Sequence, residues 1–413
     1  MSAGSCRRVD VVVAGGGPAG SATALCLARE GMSVLLVERS TYGSQRVGET
    51  FPPAMQWVLA RLGLWESFCR QGAVPVPGMR CVWGSDEAYE RDFIFDPYGC
   101  GWHVDRQGFD AFLAQATEAE GVCVLRGARI DRIERTERPP GGAGWAVNIA
   151  AASGPLGVEA QFLVDATGRV AALGRHLGAR RVAHDRLVGL YAYATGSVAD
   201  GSTLIEATEN GWWYSAALPA NRSVFAFMTD ADLCARGRLC TAAGWRSQLD
   251  AVVQTRERAR SLSFDDGLLV QSANSSMLAP LGGPGWLAVG DAALAFDPLA
   301  GQGVYRALLT ATDVAPALRG SRGDGLALAA YADSTTRDFD RFLIDRNRHY
   351  EQEQRWPGSV FWRRRSPSAA GRPMAALQSS PEQAAQRHHG ADDEQRAGHL
   401  HRRDRLAEQP GHQ

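Results

Sequence analysis

The chain has 413 residues, 45% of them hydrophobic and 22% charged, which is enough to bury one large or two ordinary cores and excludes a wholly disordered protein. Its 44 basic and 45 acidic residues leave a formal net charge of −1, removing the bulk attraction that a nucleic-acid binder or polybasic membrane protein would use. All the basic residues are arginine; lysine is absent, so chemistry that needs an ε-amine cannot be run by this polypeptide.

The first apolar run, Val9 to Val13, is β-branched and predicts a buried strand of the parallel type. It enters Gly15-Gly16-Gly17-Pro18-Ala19-Gly20, followed by a small-residue helix and a second strand, Ser33 to Val37, ending at Glu38-Arg39. This is the opening βαβ unit of a doubly wound nucleotide-binding fold. A helix broken at Gly63 is expected over 54–69, and another over 107–119, where Phe109, Phe112, Leu113 and Ala116 share one face. Strands follow at 122–125, 146–150 and 162–165, with Pro139-Pro140-Gly141-Gly142 as a turn. From 187 to 263 the alternating, aromatic runs Leu187 to Ala194, Thr203 to Glu206, Trp212 to Leu218 and Val224 to Thr229 predict an antiparallel sheet. Trp286 to Val289 is again a buried strand, and a helical region closes the fold near Trp362. The last segment, 366–413, has no isoleucine, valine or aromatic residue and is expected to be disordered.

The eight cysteines form no Cys-x-x-Cys pair, and the five histidines of the tail lack regular spacing, so no metal site is expected. No stretch reaches the length of a membrane-spanning helix, and a cytoplasmic protein with no membrane span is the expectation.

In Gly15-x-Gly17-x-x-Gly20 the glycines let a pyrophosphate approach the helix N-terminus, where free N–H groups favour anions. Glu38 stands where both ribose hydroxyls of a dinucleotide can donate to it. Three further segments go with it: His103-Val104-Asp105-Arg106, Val164-Asp165-Ala166-Thr167-Gly168-Arg169, and Gly290-Asp291-Ala292-Ala293 with Asp297-Pro298-Leu299-Ala300-Gly301-Gln302-Gly303. Together they resemble the FAD-dependent hydroxylase superfamily over roughly residues 9 to 363.

The resemblance implies an α/β fold with a Rossmann-type, parallel-sheet FAD-binding domain (1–80, 101–180 and 265–363) and an antiparallel-sheet substrate domain (81–100 and 181–264). It implies FAD as cofactor, held by Gly15, Gly17, Gly20, Glu38, Arg39, Arg46, Arg106, Asp291, Pro298, Gly301, Gln302 and Gly303. Asp291 would bind the ribityl chain, and the helix beginning at the glycines would direct its positive end at the flavin ring. No second Gly-x-Gly-x-x-Gly follows a strand, so electrons are expected from transiently docked NAD(P)H or a separate flavin reductase.

Within the superfamily, Gly48-Glu49-Thr50, Gly211-Trp212-Trp213-Tyr214 and Asp297-Pro298-Leu299 look like the branch that contains flavin-dependent tryptophan halogenases. Those enzymes carry a lysine that relays hypochlorous acid to the substrate. Here the corresponding region offers only Arg80, their glutamate falls on Ala300, and their tryptophan motif is matched only at Trp212. Within this branch the whole pattern looks most like the flavoprotein maturases of quinone-cofactor amine oxidases and dehydrogenases, which act on tryptophan side chains of a partner protein.

The resulting expectation is a monooxygenase-type enzyme. O₂ would form a flavin C4a-hydroperoxide that hydroxylates an indole or phenol, either a small molecule or a tryptophan side chain of a partner protein. Glu49, Trp212 and Asp297 are the candidate catalytic residues, with a plain ion pair or a sheet core as their bland alternatives. Strand alternation puts Trp212 and Tyr214 on one face and Trp213 on the other. Rival readings are a halogenase-like tailoring enzyme, an isoprenoid double-bond reductase and a flavin-bound partner without catalysis.

Overall fold

The β-branched run at the start of the chain forms the strand Arg7–Ala14, which lies at the centre of an eight-stranded sheet in the computed structural model. The structure describes residues 7–138, 142–198, 200–320 and 326–365. The expected turn at Pro139-Pro140-Gly141 and the expected disordered tail lie outside them. Arg7–Ala14 pairs in parallel with Val34–Glu38 on one side and Gly154–Asp165 on the other. Cys123–Arg126 and Trp286–Ala288 extend the parallel order outward. Val11, Val12, Val13, Leu35, Leu36, Leu163 and Val164 are fully buried, as a sheet covered on both faces requires. The hairpin Arg129–Arg138 and Gly142–Ala151 adds antiparallel strands to Gly154–Asp165, and it is longer than the single strand expected over 146–150.

The helix Pro18–Arg29 follows the glycine turn and packs against the sheet through Ala19, Ala24 and Leu27, with Ala22 and Leu25 buried among the neighbouring helices. Arg106–Ala119 is capped by Asp105, whose carboxylate accepts from the N–H groups of Gln107 and Gly108. The expected break at Gly63 separates Met55–Arg61 from Trp65–Cys69, and Gly63 takes the left-handed φ of 65° that a glycine allows.

The second large sheet places Leu187–Thr195, Arg222–Asp230, Gly211–Leu218 and Thr203–Thr208 side by side and antiparallel. Gly78–Val82 joins its edge in parallel with Thr203–Thr208, so a short piece from early in the chain completes the later sheet. The helices Gly303–Gly320 and Leu326–Glu351 follow, the latter ending against this second sheet through Tyr350. Both sheets are packed together in one unit, Met1–Ser366. This is the α/β architecture of mixed parallel and antiparallel sheets typical of the FAD-dependent hydroxylase and halogenase fold. Among the described residues no helix is long and apolar enough to cross a membrane.

Leu163 lies at the centre of the parallel sheet, fully buried with Trp145, Val158 and Trp286 in the same core. Leu163→Ala leaves a cavity there and is expected to cost about 2–5 kcal/mol, read as a fall in the urea midpoint with an unchanged m-value.

Candidate active site

A cavity of about 800 Å³ runs from the first glycine turn to the face of the second sheet. At one end stands the nucleotide cradle. Gly15 has φ 102°, and a Cβ there would meet the Ala166 carbonyl oxygen at 2.2 Å. Gly20 admits no side chain either, because its Cβ would meet the Gly15 carbonyl oxygen at 1.8 Å. The helix Pro18–Arg29 begins at Gly17 with no side-chain cap, so its N–H groups are left for a ligand in the cavity. Glu38 is buried at the end of its strand and accepts from Gly16 N–H at 2.6 Å and Ser40 N–H at 2.8 Å. Burial opposes its charge, but the hydrogen bonds from Ser40 and Gly16, with the Arg46 guanidinium, hold its carboxyl below the usual range. An ionised acceptor beside an open helix N-terminus and a glycine cradle fits the ribose and pyrophosphate of FAD.

Arg39 is exposed at the rim. Arg46 bonds Asp110 at 3.1 Å and Ser40 at 2.7 Å. Arg106 bonds Asp110 at 3.0 Å and donates to the Val47 carbonyl, so it staples the 47–48 loop while lining the cavity. Asp291 lines the cavity from the turn after Trp286–Ala288, 3.5 Å from Arg169. Pro298, Gly301 and Gly303 line it at the start of the helix Gly303–Gly320, and a Cβ on Gly301 or Gly303 would meet nothing within 4 Å. That helix start is open to the cavity. Gln302 is not part of the cavity wall; its side-chain oxygen accepts from Arg306 Nε at 3.0 Å.

At the other end the wall is aromatic. Trp212 and Tyr214 face the cavity, whereas Trp213 points the other way and packs on Phe227 and Trp245 at ring separations of 5.1 and 5.0 Å. Tyr191, Ile205 and Met228 from neighbouring strands complete this face. Two carboxyl groups meet it. Glu49 is buried, accepting from Tyr193 Oη at 2.6 Å and Gly48 N–H at 2.7 Å. Burial pushes its pKa up, against the opposing effects of Tyr193, the backbone N–H groups and Arg106. Asp297 is likewise buried; its Oδ1 accepts from Leu299 N–H at 3.0 Å and its Oδ2 from Tyr350 Oη at 2.9 Å. Tyr350 Oη in turn accepts from Trp212 Nε1 at 2.9 Å. Burial and the nearby Asp185 charge lift Asp297 to about 6, despite Leu299 N–H, Arg346 and Arg365. Thr50 and Tyr214 share a 2.6 Å hydrogen bond next to Glu49.

Sequence reasoning missed Tyr193 and Tyr350, the donors to the two acids. Tyr191 and Tyr193 alternate in phase along one strand, a signal that was readable; Tyr350 lies 53 residues from Asp297 on a long helix, and nothing local marks it. His103 is buried away from the cavity wall, bonded to Thr203 at 2.9 Å, and burial drives its pKa down to about 3, consistent with a structural group. Arg80 also lies off the cavity. It is registered with Leu204, one residue out of phase with the cavity-lining Ile205, and its nearest acid is Glu90 at 3.9 Å. Among the described residues no cluster of ligating side chains could hold a metal ion.

The arrangement is that of an FAD-dependent oxidoreductase, and residues 10–182 match the family model described as FAD dependent oxidoreductase. The chain is 32% identical over 362 residues to the putative FAD-dependent oxidoreductase LodB of Marinomonas mediterranea, covering 86% of this chain and 96% of that protein. It therefore belongs to the FAD-dependent oxidoreductase family, and its cofactor is FAD.

The chain is also 26% identical over 370 residues to a tryptophan 2-halogenase of Chondromyces crocatus, covering 85% of this chain and 69% of that one. The chondrochloren halogenase CndH has the same fold, with a TM-score of 0.80 at 24% identity over 92% of this chain and 88% of its own. The peptidyl tryptophan dihydroxylase QhpG, which is essential for tryptophylquinone cofactor biogenesis, superposes at a TM-score of 0.66 with 26% identity, over 90% and 81%. Further relatives from Armillaria mellea and Aspergillus bear halogenase names.

These relatives overturn the expectation of aromatic hydroxylation through a C4a-hydroperoxide, since the similarity runs mainly to halogenases. The chain lacks lysine, and its similarity to halogenases holds without it.

The raised Asp297 makes a pH prediction. A carboxyl lifted from 3.8 to about 6 by folding contributes stability below pH ~4 that is lost as pH rises through ~6, about 3 kcal/mol in all. Asp297→Asn is expected to remove that part of the pH dependence, measured by urea denaturation of the FAD-loaded protein across pH 4 to 7.

Proposed function

We propose that this protein is a flavin-dependent halogenase-type oxidoreductase acting on an electron-rich aromatic ring. It would draw on O₂, a halide and FAD reduced by a separate flavin reductase. The observation that carries the reading is one cavity with a dinucleotide cradle at one end and the wall of Trp212, Tyr214 and Tyr191 at the other. Halogenases among the relatives and the solved structures of this fold support it.

FAD would be held by Gly15, Gly17, Gly20, Glu38, Arg46 and Asp291, with Pro298, Gly301 and Gly303 giving its ring room at a helix N-terminus. We assign the FAD-binding part to 1–80, 101–180 and 265–363, and the substrate part to 81–100 and 181–264. Bound and reduced, the flavin supplies the O₂ activation that oxidises the halide. The chain's own contribution is placement, dryness and proton control. Trp212 and Tyr214 set the ring's plane, and their hydrogen bonds to Tyr350 and Thr50 stop them turning. Glu49, its pKa pushed up by burial, would exchange a proton at the cavity wall, with Tyr193 fixing its orientation. Without an amine, delivery of the oxidised halogen would rest on these hydrogen-bonding groups.

The aromatic ring is free or carried on the tryptophan side chain of a partner protein; the likeness to the peptidyl tryptophan dihydroxylase supports the second form. The test is turnover with a flavin reductase, NADH, O₂, bromide and either indole or a tryptophan-containing peptide, followed by mass spectrometry. A product carrying the bromine isotope pair is expected. Oxygen incorporation without halogen at saturating bromide would contradict the proposal.

A further inference from the structure

The cavity ends differ sharply in charge. The residues that the second sheet presents to it, Tyr191, Ile205, Trp212, Tyr214 and Met228, are all uncharged. The ionisable groups hydrogen-bonded into that face are both acids, Glu49 through Tyr193 and Asp297 through Tyr350 to Trp212. Of the six arginines that line the cavity, Arg39 follows Glu38, Arg129 and Arg132 lie on the strand that starts beside it, and the other three are already engaged. Arg46 and Arg106 are spent on Asp110. Arg169 is spent on Asp291 and on the carbonyl oxygens of Asn274 and Phe296. Lysine is absent from the chain.

From this we infer that the aromatic end takes a ring with no carboxylate attached close to it: a neutral indole or phenol, or an aromatic amine. The inference rests on the aromatic-substrate reading above and adds its charge class. A carboxylate entering this end would lose its water, and the nearest cations, Arg106 and Arg169, are already paired with Asp110 and Asp291, which is the costly case for a buried ion. It would also face Glu49 and Asp297, whose ionised forms repel it. An ammonium group meets the opposite situation, since either acid can ionise beside it, releasing its proton to solvent and forming an ion pair. A neutral ring gives up no charge solvation at all. An indole inside a peptide chain belongs to the same class, because amide bonds have replaced its carboxylate and amine.

The experiment uses the FAD-loaded full chain at about pH 7 and follows the visible absorption spectrum of bound FAD during titration with indole, tryptamine and indole-3-acetate. Indole and tryptamine are expected to perturb the spectrum and saturate, with indole-3-acetate at least tenfold weaker. In Glu49→Gln, the ratio of tryptamine affinity to indole affinity is expected to fall several-fold. Indole-3-acetate binding as tightly as tryptamine would overturn the charge inference and leave the aromatic reading standing. No spectral response to any of the three would overturn the aromatic reading itself, and the inference with it.

Discussion

Two carboxyl groups are buried where the parallel sheet's loops meet the second sheet, and the cavity's shape depends on how they are satisfied. An acid in such a place either finds hydrogen-bond donors or destabilises the fold. Glu49 finds Tyr193 on the second sheet, and Asp297 finds Tyr350, which holds Trp212. Each bond crosses from a loop of the FAD-binding sheet to a group packed on the second sheet. The acids therefore fix the distance between the dinucleotide cradle and the aromatic wall, and they also set the electrostatic character of the space between.

That character explains why the absence of lysine is compatible with the chemistry of the relatives. The nearest ionisable groups of the chamber are two buried acids whose pKa values are pushed up, and the chain offers no amine nucleophile there. On the proposed function, oxidised halide in the chamber would be guided by hydrogen bonds and confinement. Arg46, Arg106 and Arg169, which cannot act as nucleophiles at neutral pH, are held in place by Glu38, Asp110 and Asp291.

The parts of this arrangement that were legible in the sequence are those with local signatures. Gly15, Gly17, Gly20 and Glu38 obey spacing rules set by one turn and one strand. Trp212 and Tyr214 face together because strand side chains alternate. What escaped was long-range: Tyr350 reaches Asp297 from the end of a 26-residue helix with no pattern pointing inward. Gln302 sits inside a readable motif, yet Arg306 draws its side chain along the helix and off the cavity wall. The strand Gly78–Val82 joins a sheet formed mostly by residues more than a hundred positions later, a pairing that periodicity cannot foretell.

The central claim is that the FAD cradle and the acid-lined aromatic end form one reaction chamber. A crystal structure of the FAD-loaded protein soaked with indole and bromide, with anomalous data at the bromine edge, tests it directly. The account predicts the flavin ring at the Gly301–Gly303 turn, indole against Trp212 and Tyr214, and a bromide peak inside the same cavity. A flavin ring directed away from that turn, or indole and bromide bound only outside the cavity, would contradict it.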